Sequence, residues 1–284
     1  MAINSIAGLD HVVIVVRDLS AAAKRWEALG FTVSDRGTHS AHMGTGNHTI
    51  MLSEDYLELL GVLAPTERNA PTRALLEKRE GIERAAMTTL DAAAGVAALK
   101  ARGIEATGPI DFSRPVDLPD GTRIEARFQT FLWPIDDRPG GMRVFACQHF
   151  TRDAVWLPHL TRHANTAVRI KSVELLSRDP AAAAAHMSRM IDMPVAHEAD
   201  GALRVDSGGN RGAFVFMDRA PLAARHPGVP VETMPEDCAA ALILGVADLA
   251  AAKRAAGGAV RASSAKRVSV GPTEANGIIL VFEE

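Results

Sequence analysis

One pattern recurs four times along this 284-residue chain: an apolar strand-like run, an aspartate, an alanine-rich stretch and a glycine or proline stop. The first copy reads Val15-Val16-Arg17-Asp18-Leu19-Ser20-Ala21-Ala22-Ala23 and runs through Trp26 and Leu29 to Gly30; the second is Thr89-Leu90-Asp91-Ala92-Ala93-Ala94, ending at Gly103. Ser177-Arg178-Asp179-Pro180-Ala181-Ala182-Ala183 opens the third, and Val246-Ala247-Asp248-Leu249-Ala250-Ala251-Ala252 the fourth, which stops at Gly257-Gly258. Each stretch has the parts of a helix: a side-chain oxygen to cap the first turn, from Asp18 or Ser20 in the first copy, and a glycine that can turn the chain at the far end. Pro180 suits a first helical position, where its missing amide hydrogen is not needed. A repeat on this scale means that one supersecondary unit is used four times.

The segments after each helix read as strands separated by turn-formers: Gly44-Thr45-Gly46-Asn47, Pro119-Asp120-Gly121, Gly208-Gly209-Asn210 and Glu274-Ala275-Asn276-Gly277. The unit is therefore strand, helix, three strands (βαβββ). First strands are expected near 9–16, 82–89, 169–177 and 240–246, and last strands near 55–62, 142–149, 213–217 and 278–282. Residues 151–165 fit neither half and read as a connector carrying Trp156 and His163 as clamps. The fold class is α+β: four βαβββ units paired into two domains, 1–150 and 166–284. One helix cannot cover both faces of a four-stranded unit, so two units side by side should curl a curved mixed sheet around a cup, with the helices outside.

Inward side chains of the first and last strands would meet in that cup. In Gly8-Leu9-Asp10-His11-Val12-Val13-Ile14-Val15-Val16 an extended chain puts His11, Val13 and Val15 on one face and Val12, Ile14 and Val16 on the other, so both faces are apolar and the strand is expected to be buried on both. In Tyr56-Leu57-Glu58-Leu59-Leu60-Gly61 the alternation sets Glu58 between Tyr56 and Leu60. A carboxylate buried there without a partner would cost several kcal/mol, so it needs a cation, a proton or water.

The balance of 31 Lys+Arg against 34 Asp+Glu gives a formal charge of −3, no basis for a nucleic-acid or anionic-membrane surface. A small-molecule partner is expected. The first residues lack a basic segment followed by an apolar one, and the run Val12 to Val16 is too short to cross a bilayer, so a cytoplasmic protein is expected. Cys147 and Cys238 form no metal spacing and read as free thiols.

The repeat, with Leu9-Asp10-His11-Val12-Val13, Gly44-Thr45-Gly46-Asn47, Tyr56-Leu57-Glu58-Leu59, Cys147-Gln148-His149, Trp156 and His163-Ala164-Asn165, resembles the vicinal oxygen chelate superfamily in its glyoxalase-like, two-domain branch. In that superfamily a divalent metal sits in the cup, held by first and last strands of paired units, and chelates substrate oxygens. Its members include lyases, isomerases, ring-cleaving dioxygenases and non-catalytic drug-binding proteins. Carried over, the resemblance implies His11 and Glu58 as ligands, and Gln148 or His149 from the last strand of unit two. Imidazole is the better transition-metal ligand, which favours His149. Unit two has Glu83-Arg84 where another first-strand ligand is expected, so either Glu83 contributes or the site keeps an open side. The implied ion is Zn, Ni, Mn or Fe(II). Domains of this type associate in pairs, so a homodimer is an expectation as well. In the second domain Ser172 falls opposite His11 and no acid matches Glu58, which reads as a degenerate, metal-free copy.

The strand Arg123 to Trp133 alternates cleanly. Its face with Arg127, Gln129 and Phe131 is either a solvent face or a cup wall on which those residues grip substrate. Two readings of function follow. One is a metal-dependent lyase, isomerase or dioxygenase in which Glu58 also moves a proton. The other is a binding module that sequesters a small molecule without turnover.

Overall fold

The computed structural model describes residues 3, 6–118 and 121–284; Pro119 and Asp120 of the expected turn lie outside these. Unit one comprises β1 (Ile6–Val16), α1 (Leu19–Ala28), β2 (Gly37–Thr38), β3 (Thr45–Met51) and β4 (Tyr56–Val62). After α2 (Ala70–Lys78), unit two follows with β5 (Gly81–Thr89), α3 (Ala92–Ala101), β6 (Thr107–Asp117), β7 (Arg123–Leu132) and β8 (Arg143–His149). Unit three is β9 (Ala167–Leu176), α4 (Pro180–Ile191), β10 (Val195–His197), β11 (Leu203–Asp206) and β12 (Ala213–Met217). Beyond α5 (Arg219–Arg225), unit four is β13 (Cys238–Val246), α6 (Leu249–Ala256), β14 (Val260–Ser263), β15 (Arg267–Val270) and β16 (Ile279–Glu283). The fold is thus α+β and built from four βαβββ units. No helix among the described residues is long and apolar enough to cross a membrane.

The repeated aspartates are the N-caps. Asp18, Asp91, Asp179 and Asp248 each accept from the backbone N–H three residues on, at 2.9 Å in every case. Each such cap contributes about 1 kcal/mol, and each fixes where strand gives way to helix. Alanines then let the helices lie close on the sheet, and larger side chains such as Trp26 in α1 and Met187 in α4 fill the layer beneath.

In each unit the first and last strands run parallel, and the first strands of paired units run antiparallel: β1 with β5, β9 with β13. Two eight-stranded halves result, β2-β3-β4-β1-β5-β8-β7-β6 and β10-β11-β12-β9-β13-β16-β15-β14, joined by one bridge, Ala239 to Ile82. The two-residue β2 and the short β10 and β14 lie at the edges; the long β6 is the remaining one. The main apolar core runs through both halves and includes Trp26, Phe131, Phe214 and Phe282. Trp26 donates its indole N–H to Asn276 Oδ1 at 3.0 Å, so α1 of unit one is covered by unit four.

The segment between the halves is tied down by its side chains. His163 accepts from Thr32 N at 3.0 Å and donates to Met51 O at 2.8 Å, and Trp156 donates to Leu52 O at 3.1 Å.

The two cups differ. Over the second, α5 and residues 229–234 press Leu222, Val229, Val231 and Met234 onto Ala241, Ile243 and Val281, filling it with apolar side chains. There Glu174 is buried beside His226 Nε2 at 2.6 Å and Arg225 Nη1 at 2.9 Å. Ser172, at the place His11 holds in the first cup, is buried under this layer.

Asp55, in the turn before β4, is 1 % exposed and accepts from Ile170 N on β9 through both oxygens at 3.1 Å. Burial pushes its carboxyl up to about 7, because those hydrogen bonds only partly offset the lost hydration. A pKa raised in the folded state means stability that is complete below the unfolded value and is lost as pH rises through about 7. Asp55→Asn, which keeps an acceptor, should therefore gain on the parent protein between pH 5 and pH 8, by about 2–3 kcal/mol. Thermal melting of both proteins across that range checks it; parallel curves would mean that Asp55 is ionised throughout.

Candidate functional site

The open cup of the first half is a cavity of about 430 Å³ walled by the sheet on one side and by α2 and β6 at its mouth. Its chemistry begins with an irregularity in the β1–β5 ladder. Leu9 faces Met87 and His11 faces Ala86, so Asp10 is an extra residue in a β-bulge. A bulge re-aims side chains, and here it sets Asp10 beside its neighbour His11. Asp10 Oδ2 takes hydrogen bonds from His11 Nδ1 at 2.6 Å and His149 Nε2 at 3.0 Å, while Oδ1 takes one from Thr88 Oγ1 at 2.9 Å. Burial alone would push this carboxyl up; the hydrogen bonds from His11 and His149 hold it far below the usual carboxylate range. An ionised Asp10 fixes the proton of His11 on Nδ1 and leaves Nε2 aimed at the cavity, as carboxylate-oriented ligand histidines are.

Glu58 stands across from it on β4, 8 % exposed. Asn47 Nδ2 donates to its Oε1 at 2.6 Å; His11 Nε2 is 3.8 Å from Oε2 and His39 Nε2 3.8 Å from Oε1. His39 is oriented in turn by Thr45 Oγ1, 2.8 Å from Nδ1. Burial pushes the Glu58 carboxyl up, but the pull of His39 and His11, the Asn47 amide and the charge of Arg84 more than offset it and hold it below its ordinary value. Burial draws His39 below its ordinary value, against the opposing pull of the Glu58 carboxylate. Tyr56 stacks on His11 with centroids 4.2 Å apart and fixes the plane of the ring.

The expected site residues are thus brought together in part. His11 and Glu58 line the cavity. His149, not Gln148, lies on the inward face of β8, since Arg143, Phe145 and Cys147 on the same face line the cavity; Gln148 caps α3 by accepting from Ala92 N. His149 nevertheless sits behind the cavity wall with Nε2 spent on Asp10, among Phe128, Tyr56 and Trp156. Its Nδ1 is buried without a partner among the described residues. Arg127, Gln129 and Phe131 are on the other face of β7. Phe128, Thr130 and Leu132 line the cavity instead, Arg127 is exposed, and Phe131 belongs to the main core beside Trp133. The reason is phase: both faces of β7 carry aromatics, and the face with Phe131 packs beneath the helix layer.

Glu83 is the extra residue of a second bulge, between Arg84 facing Val13 and Ile82 facing Ile14. It is buried and pairs with Arg84 and Arg143, so it serves those cations and does not reach the cavity. Arg84 itself does. Seven residues before each N-cap aspartate stand His11, Arg84, Ser172 and Ala241, which makes Arg84 the unit-two counterpart of His11. That spacing was available in the sequence. His39, in the loop just past the two-residue β2, left no periodic signal.

Three side chains offer ligand atoms all within 4.8 Å of one another: Asp10, Cys147 and His149. They suit an ion poorly. Asp10 already accepts three hydrogen bonds, and burial, with Asp10 and Glu58 nearby, pushes the Cys147 thiol well up and away from the thiolate a metal needs. The donors that face the cavity are instead Glu58 with Nε2 of His11 and His39, each imidazole nitrogen beside a different Glu58 oxygen; the three are not all within 4.8 Å of one another, so an ion would have to draw them together. This set has a buried carboxylate, imidazoles oriented from behind, and 3.8 Å spans that two bonds of ~2.0–2.2 Å can bridge.

A family model described as a glyoxalase-like domain matches residues 9–191. No curated protein matches at significant similarity. Among solved structures, the chain is similar to a hypothetical protein from Staphylococcus aureus, with TM-score 0.71 and 17 % identity over 97 % of this chain and 98 % of that one. A mutant of 4-hydroxymandelate synthase from Streptomyces coelicolor gives 0.63 and 14 %, over 99 % and 93 %. Methylmalonyl-CoA epimerase from Mycobacterium tuberculosis gives 0.40 and 20 %, over 53 % and 93 %. At these identities the likeness is one of fold. With a family match over residues 9–191 and four βαβββ units, the chain belongs to the glyoxalase-like domain family.

Proposed function

We propose that the first half, residues 1–150, is a metal-assisted enzyme acting on a small oxygen-rich molecule, of lyase, isomerase or dioxygenase type. One observation carries this: the buried Glu58 carboxylate has an imidazole nitrogen 3.8 Å from each oxygen and no Lys or Arg ion pair among the described residues. A divalent ion (Zn, Ni, Mn or Fe(II)) held by His11, His39 and Glu58 would supply Lewis-acid polarisation of two neighbouring substrate oxygens, or oxygen chemistry if it is iron. The protein's own part is orientation and exclusion of water. Asp10 and Tyr56 fix the His11 ring, and Asn47 pins Oε1 of Glu58 so that Oε2 faces the cavity. Glu58 is also the group placed to take a proton from a bound substrate.

A second reading, a sequestering module without turnover, is favoured by unit two. There Arg84 takes the place of a first-strand ligand, and Phe145, on the last strand, faces the cavity. Metal content decides between them. Purified without chelator, the protein should hold about one divalent ion per chain, and Glu58→Gln should lose it while its ion-free melting temperature stays within a few degrees, since the apolar strand around residue 58 survives. A parent protein that holds no ion, or a variant that keeps it, favours the sequestering module.

His39 and His149 are distinguished by the same measurement. His39→Ala should weaken ion affinity at least tenfold more than His149→Ala in a chelator competition. The reverse order would make His149 the ligand and leave His39 to the rim.

A further inference from the structure

The charges on the cavity wall are unequal, and the excess lies opposite Glu58. Arg84 and Arg143 are direct cross-strand neighbours on β5 and β8, and both line the cavity. Like charges so placed repel, and the single buried carboxylate of Glu83 pairs with both. Arg84 is further held by Thr72 Oγ1 at 3.2 Å, whereas Nε of Arg143 is buried with no acceptor among the described residues. From β6 a third guanidinium, Arg114, lines the cavity with no ion pair among the described residues. Its charge is felt at His39 and at Tyr56, so it projects over the same centre. With Arg68 four guanidinium groups line the cavity, against the carboxylates of Glu58, Asp111 and the adjoining Glu83, and one positive charge remains over.

The same wall offers an apolar surface. Phe112 and Phe128 stack across β6 and β7 with centroids 4.7 Å apart and planes within 12°, and Phe112 is 41 % exposed at the cavity. Ile110, Leu132 and Phe145 continue this surface. An exposed aromatic at the mouth of a cavity, beside an uncompensated guanidinium, fits a ligand that covers the ring and brings one negative charge. The planar guanidinium fork matches a carboxylate in both charge and geometry.

We propose that the first cup binds a small organic carboxylate, its acid group held by Arg114 together with Arg84 and Arg143 and its apolar body lying against Phe112 and Phe128. The proposal rests on the reading of this cup as the ligand site, but not on a metal being there. It also gives the unit-two wall a role: where unit one offers His11 and Glu58, unit two offers cations for the other end of the ligand.

The probes are 3-phenylpropanoate and its neutral isostere 3-phenylpropanamide, titrated calorimetrically into the full-length protein up to 10 mM. The acid should bind at least tenfold more tightly than the amide. Arg114→Gln should reduce that preference by tenfold or more with its ligand-free melting temperature unchanged, because Arg114 leaves no buried partner behind. Arg127→Gln, on the opposite face of the neighbouring strand, should keep the preference. Equal binding of acid and amide, no saturable binding of either, or equal losses in Arg114→Gln and Arg127→Gln would overturn the proposal. Glu58→Gln separates it from the metal reading: that variant should keep or strengthen the acid preference even where it holds no ion.

Discussion

The first cup depends on two places where the β1–β5 ladder departs from strict alternation. Adjacent side chains on a strand point to opposite faces, so a histidine in a buried strand cannot ordinarily be held by its own neighbour. The bulges at Asp10 and Glu83 make this happen twice, pairing Asp10 with His11 and Glu83 with Arg84. Each acid then reaches one residue further, Asp10 to His149 and Glu83 to Arg143 on β8. Without these acids the central ladder would bury imidazole and guanidinium groups unpaired, at a cost of several kcal/mol each. With them, it presents a fixed ring nitrogen on one side of the cup and a fixed cationic wall on the other.

The second half has the same ladder and the same departures from register, yet a different interior. Lys171 and Ala240 stand there in the places of Asp10 and Glu83. Lys171 turns outward to pair with Glu283, and Ala240 adds only to the apolar packing. The linking segment between units three and four has sunk into the space. In the first half the corresponding segment, α2, contributes Thr72 and Asn69 to the cavity lining and leaves the space open. One architecture thus supports a binding cavity and a packed buttress, and the difference lies in the apolar residues between α5 and β13.

Much of this was legible in the sequence. The four aspartates, the alanines behind them and the glycine stops are local signals, and first and last strands fell within two or three residues of expectation because apolar runs bounded by turns leave little freedom. His11 and Glu58 were visible as polar residues where a strand should be apolar. Other features were not visible, for identifiable reasons. Period-two alternation separates the faces of β7 but does not say which is inward, and Phe131 and Trp133 belong to the core under the helices. His149 was separable from Gln148 only through the register of β8. The role of His39 arises from a loop folding back over β4, a contact between residues 19 apart that no local pattern encodes. The function of Glu83 required a bulge, which sequence alone does not announce.

The long outer strand of the first half, β6, also bears on how the protein behaves in a crowded solution. Of the four sheet margins, three are strands of two to four residues and offer little to an incoming chain. Only β6, with 11 residues, is long enough to template another strand, and it carries Pro109 and Pro115, neither of which has an amide hydrogen to donate. The wall that presents Phe112 and Arg114 to the cup can therefore stand at the rim of the sheet, reachable by a small ligand, while offering an interrupted ladder to self-association.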